Sequence, residues 1–384
     1  MRNHSNIIKT GLTALLLLSS LNSCSNSSSS DKNNSFSNTQ MIIKQNRNVY
    51  DNGYIYTAST STGLVNYFLD YETMETTPLC AIPNCEHKNS SCTAKAVSSC
   101  PVLLDDYIYY FTSSQNIEEK TDSRELIIDS KLMRIKISSS EIETVAEFHD
   151  CVPDTHDAFV IDNGLLYFQG DDMNPKEDEY GAITYTEAGG KHFICSIDLS
   201  TGKYKNYGSI YDEDKQYEAA DISSSALISG IKDNNIVIDY SFLKKDIEDS
   251  EFMEEGFMMA DKFTNVVVYF DLNKKTFEVK DNHTVSYIDN DTYVYYDNEK
   301  KSVVISDKNG ERTISGTRSG LNSLVLNNKL WCYTDEGVFF DLSDMSRHET
   351  SGIANVIDFH NGKYIIKTRR NKFEALSEEE LLSK

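Results

Sequence analysis

Asp162-Asn163-Gly164-Leu165-Leu166-Tyr167-Phe168 is a turn that runs at once into an apolar, aromatic strand, and its reading decides the fold. Asn and Gly tolerate the positive φ angles of a two-residue hairpin turn. The residues ahead of the turn, Phe159-Val160-Ile161, are as apolar as those behind it. The stretch therefore predicts a β-hairpin. The unit recurs at Asp51-Asn52-Gly53-Tyr54, Asp105-Asp106-Tyr107-Ile108, Asp233-Asn234-Asn235-Ile236, Asn290-Asp291-Thr292-Tyr293, Asn327-Asn328-Lys329-Leu330 and Asn361-Gly362-Lys363-Tyr364.

A second marker follows most copies: a strand, then Asp-Leu or a close variant, then a polar turn. Ile197-Asp198-Leu199-Ser200, Phe270-Asp271-Leu272-Asn273 and Phe340-Asp341-Leu342-Ser343 are clear examples, and Leu69-Asp70-Tyr71-Glu72 and Ile135-Lys136-Ile137-Ser138 are looser ones. Two hairpins make four strands, and seven units of about 49 residues match the usual blade size of roughly 40–50. Radial repetition of four-stranded sheets is a β-propeller. The expected fold is all-β: a β-propeller of seven four-stranded blades, with six or eight as neighbouring solutions. A pair of β-sandwiches and an open β-solenoid are the rival architectures, and neither demands this turn at this recurrence.

The seventh unit is short of a strand, and Met41–Lys44 is expected to complete its blade and so hide a sheet edge. Extra residues fall at 115–130, 170–190 and 243–262, where insertions map to loops. The last of these, with Phe252, Met253, Phe257 and Met258 at helical spacing, reads as a helix on the propeller rim. Residues 377–382, SEEELL, read as a short helix start.

Arg2 and Lys9 flank an apolar run of 11 residues, Gly11 to Leu21, which ends in Leu21-Asn22-Ser23-Cys24. The run is too short for a bilayer core, which needs roughly 20 residues. It looks like a bacterial lipoprotein signal. The expectation is a signal peptide over 1–23, cleavage before Cys24, and a palmitate-bearing diacylglycerol on its sulfur that anchors the protein outside the cell membrane. A plain secretory signal is the alternative. Residues 24–39 are Ser- and Asn-rich and read as a flexible tether, leaving 40–384 as one propeller domain. Removal of residues 1–23 takes two basic residues and no acid, so the net charge moves from −23 to −25. Such a chain repels phosphate backbones, which excludes nucleic acid as a partner.

The densest chemistry is Cys80-Ala81-Ile82-Pro83-Asn84-Cys85-Glu86-His87, closed by Cys92 in a C-x4-C-x-H-x4-C spacing and followed by Cys100. With Pro83 it resembles a segment of the lipid-anchored, β-propeller-like surface lipoproteins of Gram-positive anaerobes. The resemblance implies a propeller exposed outside the cell and brings no assigned activity. Three readings of the cluster stand open: disulfides, which exported proteins can hold; a structural Zn²⁺ at Cys80, Cys85, His87 and Cys92, a legitimate tetrahedral set; and free thiols. Each is structural. Cys195 and Cys332 lie in strand patterns and read as buried apolar residues. Cys151, between His149 and His156, reads as part of a loop between blades.

No G-x-S-x-G, H-E-x-x-H, P-loop or G-x-G-x-x-G occurs in the sequence. The acid pairs Asp171/Asp172 and Glu254/Glu255 would serve glycoside hydrolysis only across a cleft. No catalytic residue is assigned. The functional expectation is a binding or protein-interaction module for a protein, peptide or glycan ligand. A glycan-active hydrolase or lyase, and a structural subunit of a membrane complex, are the alternatives.

Overall fold

The computed structural model describes residues 40–44, 48–50, 52–80, 82–88, 92–95, 101–120, 123–155, 158–172, 174–177, 183–186, 191–211, 224–243, 263–281, 283–297, 300, 302–314, 323–332 and 338–384. Cys24, the 24–39 tether, Cys100 and the reading of residues 244–262 as a helix lie outside these. The chain divides into two compact units, Met1–His149 with Ile161–Leu166 and Ile197–Tyr204, and Asp150–Val160 with Tyr167–Ser196 and Lys205–Lys384.

In the first unit β1 (Met41–Lys44) precedes two four-stranded sheets. One is β2 (Asn48–Tyr50), β3 (Gly53–Thr60), β4 (Gly63–Asp70) and β5 (Thr76–Pro78), and the other is β6 (Val102–Leu104), β7 (Tyr107–Lys120), β8 (Ser123–Lys136) and β9 (Ile142–Phe148). Every neighbouring pair in both is antiparallel. The extra residues of 115–130 lengthen the β7–β8 hairpin to 14 residues per strand rather than forming a loop.

The next strands are β10 (Val152–Pro153), β11 (Ala158–Asp162), β12 (Leu165–Asp171), β13 (Asn174–Glu177), β14 (Ile183–Thr186), β15 (His192–Asp198) and β16 (Tyr204–Ser209). β11, β12, β15 and β16 follow one another in a sheet whose residues are shared between the units. β13 and β14 pair with each other, so a hairpin stands where residues 170–190 read as a loop.

The second unit continues with β17 (Ser224–Lys232), β18 (Asn235–Leu243), β19 (Phe263–Asp271) and β20 (Phe277–Asp281), then β21 (Thr284–Ile288), β22 (Tyr293–Asp297), β23 (Ser302–Asp307) and β24 (Gly310–Ile314). It ends with β25 (Ser323–Leu326), β26 (Lys329–Cys332), β27 (Val338–Asp341) and β28 (Arg347–Glu349), then β29 (Ile353–His360), β30 (Lys363–Thr368), β31 (Phe373–Leu376) and α1 (Glu378–Leu382). Each group is an up-and-down antiparallel meander. The last holds three strands, β29-β30-β31, so β1 does not complete it. Strand formation in Met41–Lys44 was readable, but a four-residue apolar strand carries no information about which distant edge it covers. The stretch 377–382 does begin a helix: Ser377 and Glu380 form a reciprocal capping box that satisfies two otherwise orphaned N–H groups.

The turn chemistry explains the hairpins. At Asn163-Gly164, Asp233-Asn234, Asn327-Asn328 and Asn361-Gly362 both central residues have positive φ, between 47° and 78°. That is the type I′ geometry, whose twist matches that of the strands it joins. The second marker is fastened to the first. The N–H groups of Tyr71, Ile137, Leu199, Leu272 and Leu342 donate to the carbonyls of Asn52, Asp106, Gly164, Asn234 and Asn328, at 2.8–3.0 Å. The donor side chains are all buried. In the Asp-Leu copies the preceding carboxylate closes its own turn: Asp341 accepts from the N–H of Ser343 at 2.9 Å and from its hydroxyl at 2.5 Å. Asp198 and Asp271 do the same for their turns. These bonds favour the ionised form and hold all three carboxyls below the usual range, with the serine hydroxyl the leading cause at Asp198 and Asp341 and backbone N–H groups at Asp271.

A carboxyl with a depressed pKa stabilises the fold above its unfolded pKa, and that stability is lost as pH falls through the folded value. Asp341→Ala is expected to cost about 1 kcal/mol at pH 7, the usual size of a lost side-chain cap. The deficit should shrink in acid, where the wild-type carboxyl protonates. Urea midpoints of both proteins at pH 7 and pH 3 check this.

Strands in the middle of these sheets are buried on both faces, which a β-propeller requires and an open sheet with a wet face does not. In β22, Tyr293 and Tyr295 pack with Val237, Val267 and Val285 on one side. Val294 and Tyr296 pack with Leu330, Val338 and Phe340 on the other. The pattern repeats in β26, where Leu330 and Cys332 face back while Trp331 faces Val356, Tyr364 and Ile366. The period-2 alternation of side chains thus divides each strand between two apolar layers. Successive sheets also approach at their first strands. β17 and β21 run parallel, with Gly230 opposite Ile288. A Cβ on Gly230 would lie 2.3 Å from the Ile288 carbonyl oxygen, so only glycine permits this approach. The chain is a β-propeller in construction: within each unit successive meanders, each too thin to bury its own faces, pack on their neighbours.

Candidate metal centre

Cys80, Cys85, His87 and Cys92 come together in the segment between β5 and β6. Their ligand atoms all lie within 4.8 Å of one another. The His87 Nδ1 sits 3.2 Å from the Cys92 Sγ. A tetrahedral Zn²⁺ with bonds of about 2.0–2.3 Å holds its ligands roughly 3.5–3.8 Å apart, so a filled shell needs the wider pairs to close by up to about 1 Å and the His87–Cys92 pair to open slightly.

Local backbone chemistry makes the convergence. Asn84 and His87 adopt left-handed φ angles of 57° and 50°, residue types that tolerate this region better than most. These two reversals fold the segment back on itself, and the Cys85 N–H donates to the Ile82 carbonyl at 3.3 Å. The segment is then sewn to the first sheet. The Thr93 hydroxyl donates to the Leu79 carbonyl at 2.5 Å. Asn66 on β4 bridges both limbs, donating from its N–H to the Ala94 carbonyl and accepting at its own carbonyl from the Leu79 N–H, at 2.9 and 3.0 Å. Cys92 is 2 % exposed and belongs to the apolar layer of Ile55, Val65, Leu79, Leu103 and Ile108, against which Cys80 and Cys85 also pack. Sequence reading found the four side chains but not Asn66, Thr93 or the two left-handed residues. Only the Asn84 turn had a local signal, following Pro83.

The three thiols are free in the structure. Their environments differ. Burial pushes the Cys92 thiol up to about 12, while a hydrogen bond from the His87 backbone holds Cys85 below the ordinary thiol range. A metal ion binding here would expel the Cys92 proton.

Cys100 lies outside the described residues, and the other described residues singled out in the sequence do not join this cluster. Cys195 and Cys332 are buried in strands, as their pattern suggested. Cys151 is fully buried, with its Sγ 3.8 Å from that of Cys195, and Gly170 makes the room: a Cβ there would lie 2.5 Å from the Cys151 sulfur. Asp171 and Asp172 do not act as a carboxylate pair. The Asp171 Oδ1 meets the His192 Nδ1 at 2.6 Å, while burial raises the pKa of Asp172. Glu254 and Glu255 lie outside the described residues.

No protein family matches the sequence, and no curated protein matches it. Among solved structures, the chain is similar to an oligogalacturonate lyase in complex with manganese at 13 % identity, with 89 % of this chain and 92 % of that one covered and a TM-score of 0.43. It is similar to an oligogalacturonate lyase from Vibrio parahaemolyticus at 10 % identity, with 86 % and 88 % covered and a TM-score of 0.38. It is also similar to an acylaminoacyl peptidase from Pyrococcus horikoshii at 12 % identity, with 84 % and 48 % covered and a TM-score of 0.41. Likeness of this degree transfers no activity to this chain. Among the described residues no helix is long and apolar enough to cross a membrane.

Proposed function

We propose that the protein is a lipid-anchored, extracytoplasmic seven-bladed β-propeller that serves as a binding or protein-interaction module, with a structural Zn²⁺ held by Cys80, Cys85, His87 and Cys92. The observation that carries this reading is the ligand set. Four protein side chains converge, enough to close a tetrahedral shell with no position left for water or substrate. A metal held in this way fixes a loop and does no chemistry itself. Three thiolates and one imidazole suit zinc better than the harder divalent cations, which prefer oxygen donors.

The lipid anchor rests on the sequence ending at Cys24, and the binding role on the stacked sheets as a rigid platform for loops. Retention is tested in two steps. The wild type should partition with membranes and Cys24→Ala should appear in the medium; membrane retention of the variant sinks the anchor. The untethered chain should then retain a glycan or peptide from a panel saturably and leave it chemically intact. Turnover of a polysaccharide on that panel contradicts the binding role and favours the glycan-active alternative.

A further inference from the structure

Three residues from three strand ends of the second unit meet away from the cysteine cluster. Asp171 is the last residue of β12, His192 the first of β15, and Ser224 the first of β17. The Asp171 Oδ1 lies 2.6 Å from His192 Nδ1, and the Ser224 Oγ lies 3.2 Å from His192 Nε2. The order is carboxylate, imidazole, hydroxyl, with the Gln169 Nε2 a second and more distant neighbour of the Nδ1, at 3.4 Å. We propose that Asp171, His192 and Ser224 form a nucleophilic triad that cleaves a carboxylic ester, an activity beyond the binding role above.

The geometry fixes the protonation pattern. A carboxylate at 2.6 Å can only accept, so the Nδ1 carries a ring proton, and in the neutral ring the Nε2 lone pair faces the serine hydroxyl. That tautomer is the one a general base needs. The Gln169 Nε2 also donates to the Asp171 Oδ1, at 3.1 Å, and Gln169 is itself buried, which fixes the carboxylate in turn. His192 is 5 % exposed and packs edge-on against Tyr240, with ring centroids 5.7 Å apart. The imidazole is thus locked in orientation and shielded from water, while Ser224 is half-buried.

In the proposed reaction the Ser224 Oγ bonds to the acyl carbon as its proton passes to His192 Nε2. The carbon–oxygen bond to the alcohol breaks, and the alcohol leaves with that proton. Water then attacks the acyl-serine, gives a proton to His192, and releases the acid as Ser224 regains its proton. No oxidant or metal is required. Ser224 and His192 are catalytic residues in this scheme, and Asp171 is a positioning residue.

The test uses the full chain and an alkyl fluorophosphonate, which loses fluoride as a serine oxygen bonds to phosphorus. The expected result is one adduct, mapped by peptide mass to Ser224, absent in Ser224→Ala and His192→Gln. In Asp171→Asn, labelling should slow on the order of 10³–10⁴-fold at an unchanged thermal midpoint. Ser224→Cys supplies a second readout should His192→Gln fail to fold. Its thiol should show thiolate ultraviolet absorbance at neutral pH relative to Ser224→Ala, lost when Asp171→Asn is added, a signature a structural tie would not produce. No adduct on the wild type, an adduct elsewhere, or labelling of Ser224 that survives His192→Gln would each overturn the proposal.

Discussion

Cys92→Ala should empty the metal site and lower stability by about 4 kcal/mol, the mass-action contribution of a ligand present at a thousand times its dissociation constant. The side chain has two roles: it is one of the four convergent ligands and is the member sunk deepest in the apolar layer between the first two sheets. Losing it removes a ligand from a four-ligand shell and leaves Cys80, Cys85 and His87 as an open, weaker set. Cys332→Ala is the control. It too is a buried cysteine, in the layer around Leu330 and Phe340, but it lies outside the cluster. It should cost only its small cavity and keep the metal. Thermal unfolding with metal analysis, run on both variants, checks the pair. Equal losses would mean that Cys92 acts only by packing.

Asp239→Asn should stabilise the protein at pH 8 and leave it nearly unchanged at pH 4. Asp239 lies on β18, where its Oδ2 accepts from the Val285 N–H at 3.3 Å while its Oδ1 is buried with no hydrogen-bond partner among the described residues. Burial raises its pKa to about 7, against the small opposing effect of the Val285 bond. For an acid whose folded pKa is raised, the native state binds more protons between the ordinary and the shifted value. Stability is therefore full below about pH 4 and falls as pH rises through 7. At 1.36 kcal/mol per pKa unit the loss at pH 8 is on the order of 4 kcal/mol, and the amide never incurs it. Urea midpoints at pH 4 and pH 8 should converge at the lower pH and separate at the higher. A constant offset between the two proteins would refute the assignment. The fluorescence of Trp331, the one tryptophan in the sequence and buried between Phe339 and Tyr364, offers the probe.

What could be read in the sequence was what is local. The Asn-Gly and Asp-Asn turns specify positive φ over two residues, so Asn163-Gly164 and Asn361-Gly362 revealed their hairpins directly. The Asp-Leu marker was visible too, although its bond back to the first turn, as from Leu272 to Asn234, joins residues far apart in sequence and leaves no spacing to recognise. The metal cluster was legible because its ligands fall within one short segment, Cys80 to Cys92. Its fastening at Asn66 was not, since both bonds use the backbone N–H and carbonyl of that residue, which leave no mark in the sequence. The neighbours of β22 were equally hidden: Val294 and Tyr295 point to different layers, but alternation says only that they differ, not what they meet. The meeting of Asp171, His192 and Ser224 comes from three strand ends that only the folded sheets bring together.

Metal content and thiol count, measured together on the purified full chain, bear most directly on the cysteine centre. One zinc per chain is predicted, with Cys80, Cys85 and Cys92 protected from alkylation until a chelator removes the ion. A metal-free chain whose mass is lower by two hydrogens for each sulfur–sulfur bond would contradict it.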